Sequence, residues 1–382
     1  MAQQNSTLTT ALTRPGQNNS TGDSRALYLK LFSGEMFKGF QHNAIARDLV
    51  MKRTLTNGKS LQFVYTGHTT AEYHTPGNSI LGNTDGAPPV AEKTITIDDL
   101  LISSAFVYEL DETLAHYELR GEISKKIGYA LAQKYDRLIF RAIAKGARQA
   151  SPISKTGFVE PGGTQIRVGT NNQASDAYSS SALINAFYDA AAALDEKGVS
   201  TDGRVGVLNP RQYYELIQAV GSNGLVNRDT QGTALQSGNG IIEIAGIKIY
   251  KSMNIPFFGR FGTKYGSVSG TNPGVTDPGN TGDFTEVVMV DETAGSGATK
   301  TVNSYGNGNS DFENSCGLIF QKEAAGVVEA IGPQVQVTSG DISVVYQGDV
   351  ILGRLAMGAD ALNPAAAIEL FAGTATKPSA FS

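Results

Sequence analysis

DETLAHYELRGEISKKIGYALAQKYDRLIFRAIAKGAR, residues 111–148, decides the architecture. Apolar side chains recur at Leu114, Ile123, Ile127, Leu131, Tyr135, Leu138, Ile139, Ala142 and Ile143, a stripe at helical spacing that no proline interrupts. Asp111, Glu112, Glu118 and Glu122 crowd its start. Lys134, Arg137, Arg141, Lys145 and Arg148 crowd its end, an order that complements the helix dipole. Ser151-Pro152 stops it. A helix of about 38 residues is about 57 Å long. That exceeds what a globular core needs, so the segment is expected to be a structural spine.

Upstream, LQFVYTG (61–67) and TITIDDLLISSAFVYEL (94–110) read as strands, with Ile95 and Ile97 alternating against Thr94 and Thr96. Between them lies HTTAEYHTPGNSILGNTDGAPPVAEK (68–93), rich in Gly, Pro, Asn and Asp and poor in core-forming side chains. Loops of this length inside compact domains are uncommon and usually functional. If ordered, this one should lie on something other than itself. Residues 1–24 are polar and read as a loosely tethered arm. Leu27, Leu31, Phe32, Met36, Phe37 and Phe40 follow at near-helical spacing, interrupted by Gly34, and read as a marginal helix.

Downstream, residues 179–199 predict a helix with Leu183, Phe187, Ala191 and Leu194 on one face. RVGVLN (204–209) predicts a buried strand, 210–220 a helix with Pro210 at its first position, and 241–252 a strand pair turning near Gly246. This alternation implies an α/β domain, roughly 180–290. Two Gly/Asn/Thr loops follow, 259–283 and 291–311. From 317 onward strands dominate: GLIFQ, GVVEAIG, QVQVT and DISVVYQGDVILGRLAMG, closing on LNPAAAIELF. Spine and late strands are distant in sequence, so a second domain is expected to form by the chain leaving and returning.

Composition limits the chemistry. The 382 residues include 44 Gly, against a usual ~7%, and only 18% are charged. The single cysteine, Cys316, excludes an internal disulfide and an all-Cys zinc site, and is expected to be an inert buried thiol. No apolar run approaches the ~18 residues of a membrane span, and the opening residues lack the apolar core of a secretory signal. A cytosolic compartment is therefore expected. The sequence contains no phosphate-binding loop, nucleophile elbow, HExxH or calcium-loop pattern. His68, Glu72 and His74 match no standard metal-ligand spacing and read as solvated or interface-polar residues, and His116 as packed against a neighbour. The pairs Asp98–Asp99 and Asp111–Glu112 have no predicted cleft. No catalytic residue, cofactor site or metal site is expected. Net charge is −5, split between +5 in residues 1–60 and −10 in the remainder, a basic arm on an acidic body.

Four segments carry a resemblance: ALYLKLFSGEMFKGF (26–40), GKSLQFVYTGHTTAEYHTPG (58–77), EKTITIDDLLISSAFVYELDETLAHYELRGE (92–122) and ILGRLAMGADALNPAAAIEL (351–370). In order and content they resemble the major capsid proteins of tailed bacteriophages with the HK97-like fold, more narrowly those of podoviruses of the autographivirus group. The resemblance implies an α+β fold in four parts. These are an amino-terminal arm (1–60), an extended β-hairpin loop (61–108), a peripheral domain of spine helix 111–148 and β-sheet (109–178 and 312–382), and an α/β axial domain (179–311).

The resemblance further implies a non-catalytic protein that assembles with itself into pentamers and hexamers of an icosahedral shell. Its partners would be a scaffolding protein, a portal protein at one vertex and packaged double-stranded DNA, in a virion assembled in the host cytoplasm without a membrane. Tyr73, His74, Pro76, Ile80, Leu81, Pro88 and Pro89 are the candidate intersubunit contacts. Arg14, Arg25, Lys30 and Lys38 are the candidate DNA-facing residues, acting by sequence-independent phosphate attraction. Low overall charge fits burial in a lattice, since interface cores are depleted in charge. Two other readings stay open: a cellular nanocompartment shell of the same fold, and a surface adhesin or fibre-type protein.

Overall fold

The computed structural model describes residues 45–67, 73–77, 90–97, 100–109, 119–152, 154–155, 158–170, 176–177, 179–217, 242–252, 254–255, 315–337 and 347–372. The arm up to residue 44, the first eight residues expected in the spine, and the loops 259–283 and 291–311 lie outside them. The chain falls into two compact units, Met1–Asn43, Asp99–Lys134 and Ala330–Met357 in one, and Ala44–Asp98, Tyr135–Glu329 and Gly358–Ser382 in the other.

In the first unit, β4 (Leu101–Tyr108) runs antiparallel to the opening of β13 (Gly348–Ala361), from Tyr108↔Gly348 to Leu101↔Leu355. The spine helix α1 (Leu119–Arg148) lays Ile127 and Leu131 against Val107 and Ile351, with Ile123, Leu101 and Ala105 at the margin. Gly353 permits this approach. A Cβ there would stand 2.5 Å from Ile127 Cγ2 and 2.8 Å from Leu131 Cδ1.

β12 (Ala325–Val337) is a single strand where the sequence suggests two, GVVEAIG and QVQVT. The four-stranded sheet has the order β1-β12-β13-β4, β1 being Met51–Thr54. β1 flanks β12 in parallel only over Gly326–Glu329. Pro333 therefore falls where β1 is no longer alongside, and its missing N–H breaks no bond to that strand.

The second unit is built on a six-stranded sheet of order β7-β14-β11-β8-β10-β9. The strands are β7 (Thr164–Arg167), β8 (Val205–Leu208), β9 (Ile242–Ile244), β10 (Ile247–Lys251), β11 (Ser315–Phe320) and β14 (Ala367–Phe371). β8 is buried throughout, as a central strand covered on both faces should be. Boundaries at 179 and 311 pass through this sheet, which takes β7 from before them and β11 and β14 from after.

Helices α2 (Ser180–Glu196) and α3 (Pro210–Ile217) pack on the sheet. Ser179 caps α2, its Oγ accepting from Ala182 N at 3.5 Å. Leu183, Phe187, Ala191 and Leu194 face the core as their spacing predicts. Gly206 lets the helix close on β8, since a Cβ there would meet Phe187 Cε1 at 2.8 Å. α2 ends in a Schellman motif: Gly198, at φ +69°, donates to Asp195 O, and Val199 donates to Leu194 O. Ala245 and Gly246, both at positive φ, make the tight turn between β9 and β10. Cys316 is wholly buried in this core.

The carboxyl half of α1 belongs to this unit, and its environment departs from a single stripe. Residues 135–144 are buried all round. Arg137 and Arg141, expected near the helix end for its dipole, are among them. Arg148 donates through Nε and Nη2 to Glu369 at 2.6 and 2.5 Å, and Gln165 Nε2 reaches the same carboxylate at 2.9 Å. Glu369 is 0% exposed, so this pair ties α1 to β14 and β7 inside the core.

Glu329, on β12, is a second buried carboxylate. Lys52 Nζ (2.7 Å), Arg47 Nε and Nη2 (3.1 and 3.2 Å) and Tyr135 Oη (2.7 Å) all donate to it. Burial alone would raise its pKa, but the bonds from Lys52, Tyr135 and Arg47 outweigh burial and hold it below its ordinary value. Burial, then the Glu329 bond, pushes the Tyr135 phenol far above its usual range.

Three expectations follow from this packing. Leu131→Pro breaks α1 against β13, a loss of about 3 kcal/mol or more, and should give chain with reduced helical circular dichroism that is insoluble or unassembled. Glu369→Ala removes the buried carboxylate that Arg148 Nε and Nη2 donate to and should lower the denaturant-derived unfolding free energy by about 3 kcal/mol. Glu329→Gln should lose about 1–3 kcal/mol at neutral pH, towards the lower end because solvent reaches Arg47 and Lys52. Glu329 has a depressed pKa, so its contribution is present above the ordinary value of 4.5 and is lost as pH falls through the folded value. The melting temperature of the wild type should accordingly drop more steeply below about pH 4.5 than that of Glu329→Gln.

Candidate assembly site

The excursion expected between the first two strands is a β-hairpin. β2 (Ser60–Thr66) and β3 (Val90–Thr96) pair antiparallel from Ser60↔Thr96 to Thr66↔Val90. β2 exposes alternate residues and half-buries Leu61, Phe63 and Tyr65, as the period-two pattern requires. On β3, Ile95 is the buried member. Val64 and Val90 lie on the exposed face.

The root of the hairpin is fixed on both strands. Tyr65 Oη donates to Glu160 Oε2 at 3.4 Å. Burial first, then the neighbouring Glu160 carboxylate, raises the Tyr65 pKa. Lys93 Nζ pairs with Asp360 Oδ2 at 3.2 Å, and Lys145 of α1 holds the other oxygen of Asp360 at 3.2 Å. Ile97 N donates to Lys59 O at 2.8 Å and closes the base. Gln62 bridges to Glu92 across the exposed face. The base is thereby anchored to α1, β13 and the segment before β7.

Beyond this anchored root, residues 73–77 are all exposed. Tyr73 is fully so, an aromatic ring open to solvent. His74 and Pro76 share that exposure, with Gly77 at φ +97° completing the turn. Of the other candidate contacts, Ile80, Leu81, Pro88 and Pro89 lie outside the described residues, as do the arm residues Arg14, Arg25, Lys30 and Lys38. His68, Glu72, His116, Asp98–Asp99 and Asp111–Glu112 lie outside them too.

Sequence reasoning did not find the residues that hold the root of the amino-terminal segment. Asp136 accepts from Ile45 N (2.9 Å), Ala46 N (3.1 Å) and Asn254 Nδ2 (3.2 Å). Burial raises its pKa, and these three donors oppose the rise. The one available signal was an acidic residue inside the apolar stretch YDRLIF, where a charge needs a partner.

A cavity of about 310 Å³ lies beside the hairpin root, lined by Tyr65, Glu160, Lys197, Gln321, Glu323 and Asn363. Lys197 donates to Gly162 O at 2.6 Å and to Thr164 Oγ1, and burial lowers its pKa. Asn363 Oδ1 accepts from Ala365 N at 3.1 Å, and Gln321 Oε1 from Glu323 N at 2.9 Å. These bonds serve the local backbone. Among the described residues no cluster of three His, Cys, Asp or Glu is placed to hold a metal, and no helix is long and apolar enough to cross a membrane.

The chain is 31% identical to the protein in the capsid structure of the cyanophage P-SCSP1u, over 94% of this chain and 98% of that one, with a TM-score of 0.68. The mature capsid of bacteriophage PhiM1 shares the fold at 16% identity and a TM-score of 0.61. The major capsid protein of Escherichia phage T7 is 30% identical over 208 residues, 53% of this chain and 59% of that protein. That of Enterobacteria phage T3 is 32% identical over 132 residues, 35% of this chain and 38% of that protein. The chain therefore spans about half the length, or less, of these curated relatives. They are phage capsid proteins and give no support to the nanocompartment or fibre readings. The sequence model of the Gp10A-like major capsid proteins matches residues 62–302, more than half of the chain. An anchored hairpin, a spine helix and an α/β sheet on an HK97-like framework accordingly place the chain in the Gp10A-like family of phage major capsid proteins.

Proposed function

We propose that this chain assembles with copies of itself into pentamers and hexamers that close into the icosahedral shell of a podovirus, around double-stranded DNA. The observation that carries this reading is the likeness to the P-SCSP1u capsid protein, 31% identity along nearly the whole of both chains. It acts without catalysis, by burying surface repeatedly. The hairpin beyond its root lies over the adjacent subunit, with Tyr73, His74, Pro76, Ile80, Leu81, Pro88 and Pro89 as contacts. An isolated two-stranded hairpin is marginal in water. A fully exposed Tyr73 on such a hairpin is suited to a partner surface, because aromatic side chains dominate interface cores.

The arm faces inward, and Arg14, Arg25, Lys30 and Lys38 meet packaged DNA through phosphate attraction. A scaffolding protein assists assembly, a portal protein occupies one vertex, and the virion is built in the host cytoplasm. The extended loop is 61–108, the peripheral domain is 109–178 and 312–382 with the spine helix, and the axial domain is 179–311, sharing the six-stranded sheet with β7, β11 and β14.

Electron microscopy of the full chain, expressed alone and with a scaffolding partner, tests the reading. Closed icosahedral shells built of pentamers and hexamers are expected, and a monodisperse monomer in both cases would refute it. Replacing 67–89 with an Asn-Gly turn keeps the Thr66↔Val90 register. The shortened chain should remain folded by circular dichroism and fail to form stable shells. Normal particles from it would refute the overlap role of the hairpin.

A further inference from the structure

Asp136 is wholly buried, and its two oxygens serve two different parts of the chain. Oδ1 accepts from Ala46 N. Oδ2 is shared, accepting from Ile45 N and from Asn254 Nδ2. Ile45 and Ala46 are where the amino-terminal segment joins the body. Asn254, itself buried, sits in the turn immediately after β10, with its N–H on Ser252 Oγ at 3.1 Å. A carboxylate out of water needs its full set of donors. If the amino-terminal root leaves, the amide of Asn254 is left to compensate alone. If Asn254 leaves, the two backbone N–H groups carry the whole load.

Glu329 acts on the same root in a different way. Its partners are Arg47, Lys52 and Tyr135, and no bond to Asn254 enters that set. The root of the amino-terminal segment is thus held by two carboxylates, one of which is shared with a distant turn.

We propose that Asp136 is a positioning residue that couples the root of the amino-terminal segment to the turn after β10, so that docking of either stabilises the other. Coupling through one oxygen is reciprocal by thermodynamic necessity. In the shell, on the reading given above, it would make the seating of residues 45–46 and of the turn at Asn254 a single event in each subunit.

Hydrogen exchange read by mass spectrometry on the full, unassembled chain tests this. Asn254→Ala should speed exchange of the peptide covering 45–50 by at least about fivefold, the low end of coupling between linked sites. The α2 peptide covering 183–194 should keep its wild-type rate. Asp136→Asn can satisfy only one side, since its amide nitrogen faces other donors, and should speed both 45–50 and 254–255. Glu329→Gln should speed 45–52 more than 254–255.

If Asn254→Ala loosens the whole domain, Asn254→Ser, which keeps a polar side chain too short to reach Asp136, is read in the same way. Wild-type exchange at 45–50 in whichever Asn254 variant stays folded overturns the coupling. So does Asp136→Asn loosening one segment alone. These readouts need no particles. Failed coupling alongside normal shells would remove this inference and leave the shell reading standing, whereas intact coupling without shells would do the reverse.

Discussion

A carboxylate sealed from water has to be neutralised where it sits, and Glu329 sets the terms for much of the second unit. Its side chain is 3% exposed, and its donors come from three places in the sequence: the turn before β1, β1 itself, and the middle of the spine. Around this charge, β1 lies parallel to β12 in the register Met51↔Gly326, and α1 presents Tyr135 to the same strand. Apolar packing supplies most of the stability of such a core, but it is tolerant of small shifts. A charge with four directional bonds is not. The neighbouring Asp136 and the Arg148–Glu369 pair repeat the device along the same helix, so the carboxyl half of α1 is keyed to its surroundings at three points.

The hairpin obeys the opposite logic. Its root is held by Tyr65–Glu160 and by the Lys93–Asp360–Lys145 bridge, while residues 73–77 are exposed. At residues 45 and 46, by contrast, the backbone is held by a buried carboxylate, Asp136.

Much of this was legible in the residues. The spine, α2, the buried strand at 205–208, the turn at Gly246 and the hairpin pairing follow from period and turn chemistry, and the quoted segments pointed to the HK97-like framework. What escaped were long-range pairings. Nothing in the local pattern joins Thr164–Arg167 to Ala367–Phe371, or Ser315–Phe320 to Val205–Leu208, because strand neighbours in a mixed sheet are chosen by topology rather than by adjacent residues. The full burial of 135–144 was equally hidden. Asp136 looks like a surface charge on a helix, and only its three-dimensional partners explain it. The candidate contacts on the hairpin were found by their unsuitability for a core, which is a weaker guide than periodicity and selects a region more readily than individual atoms.

Pro333 carries a consequence for solubility. A β-strand with a free row of donors and acceptors invites any passing extended peptide to add to it. On β12 the row is interrupted just past the point where β1 ends, because proline has no proton to give. A strand adding along that border would lack the bond at Pro333.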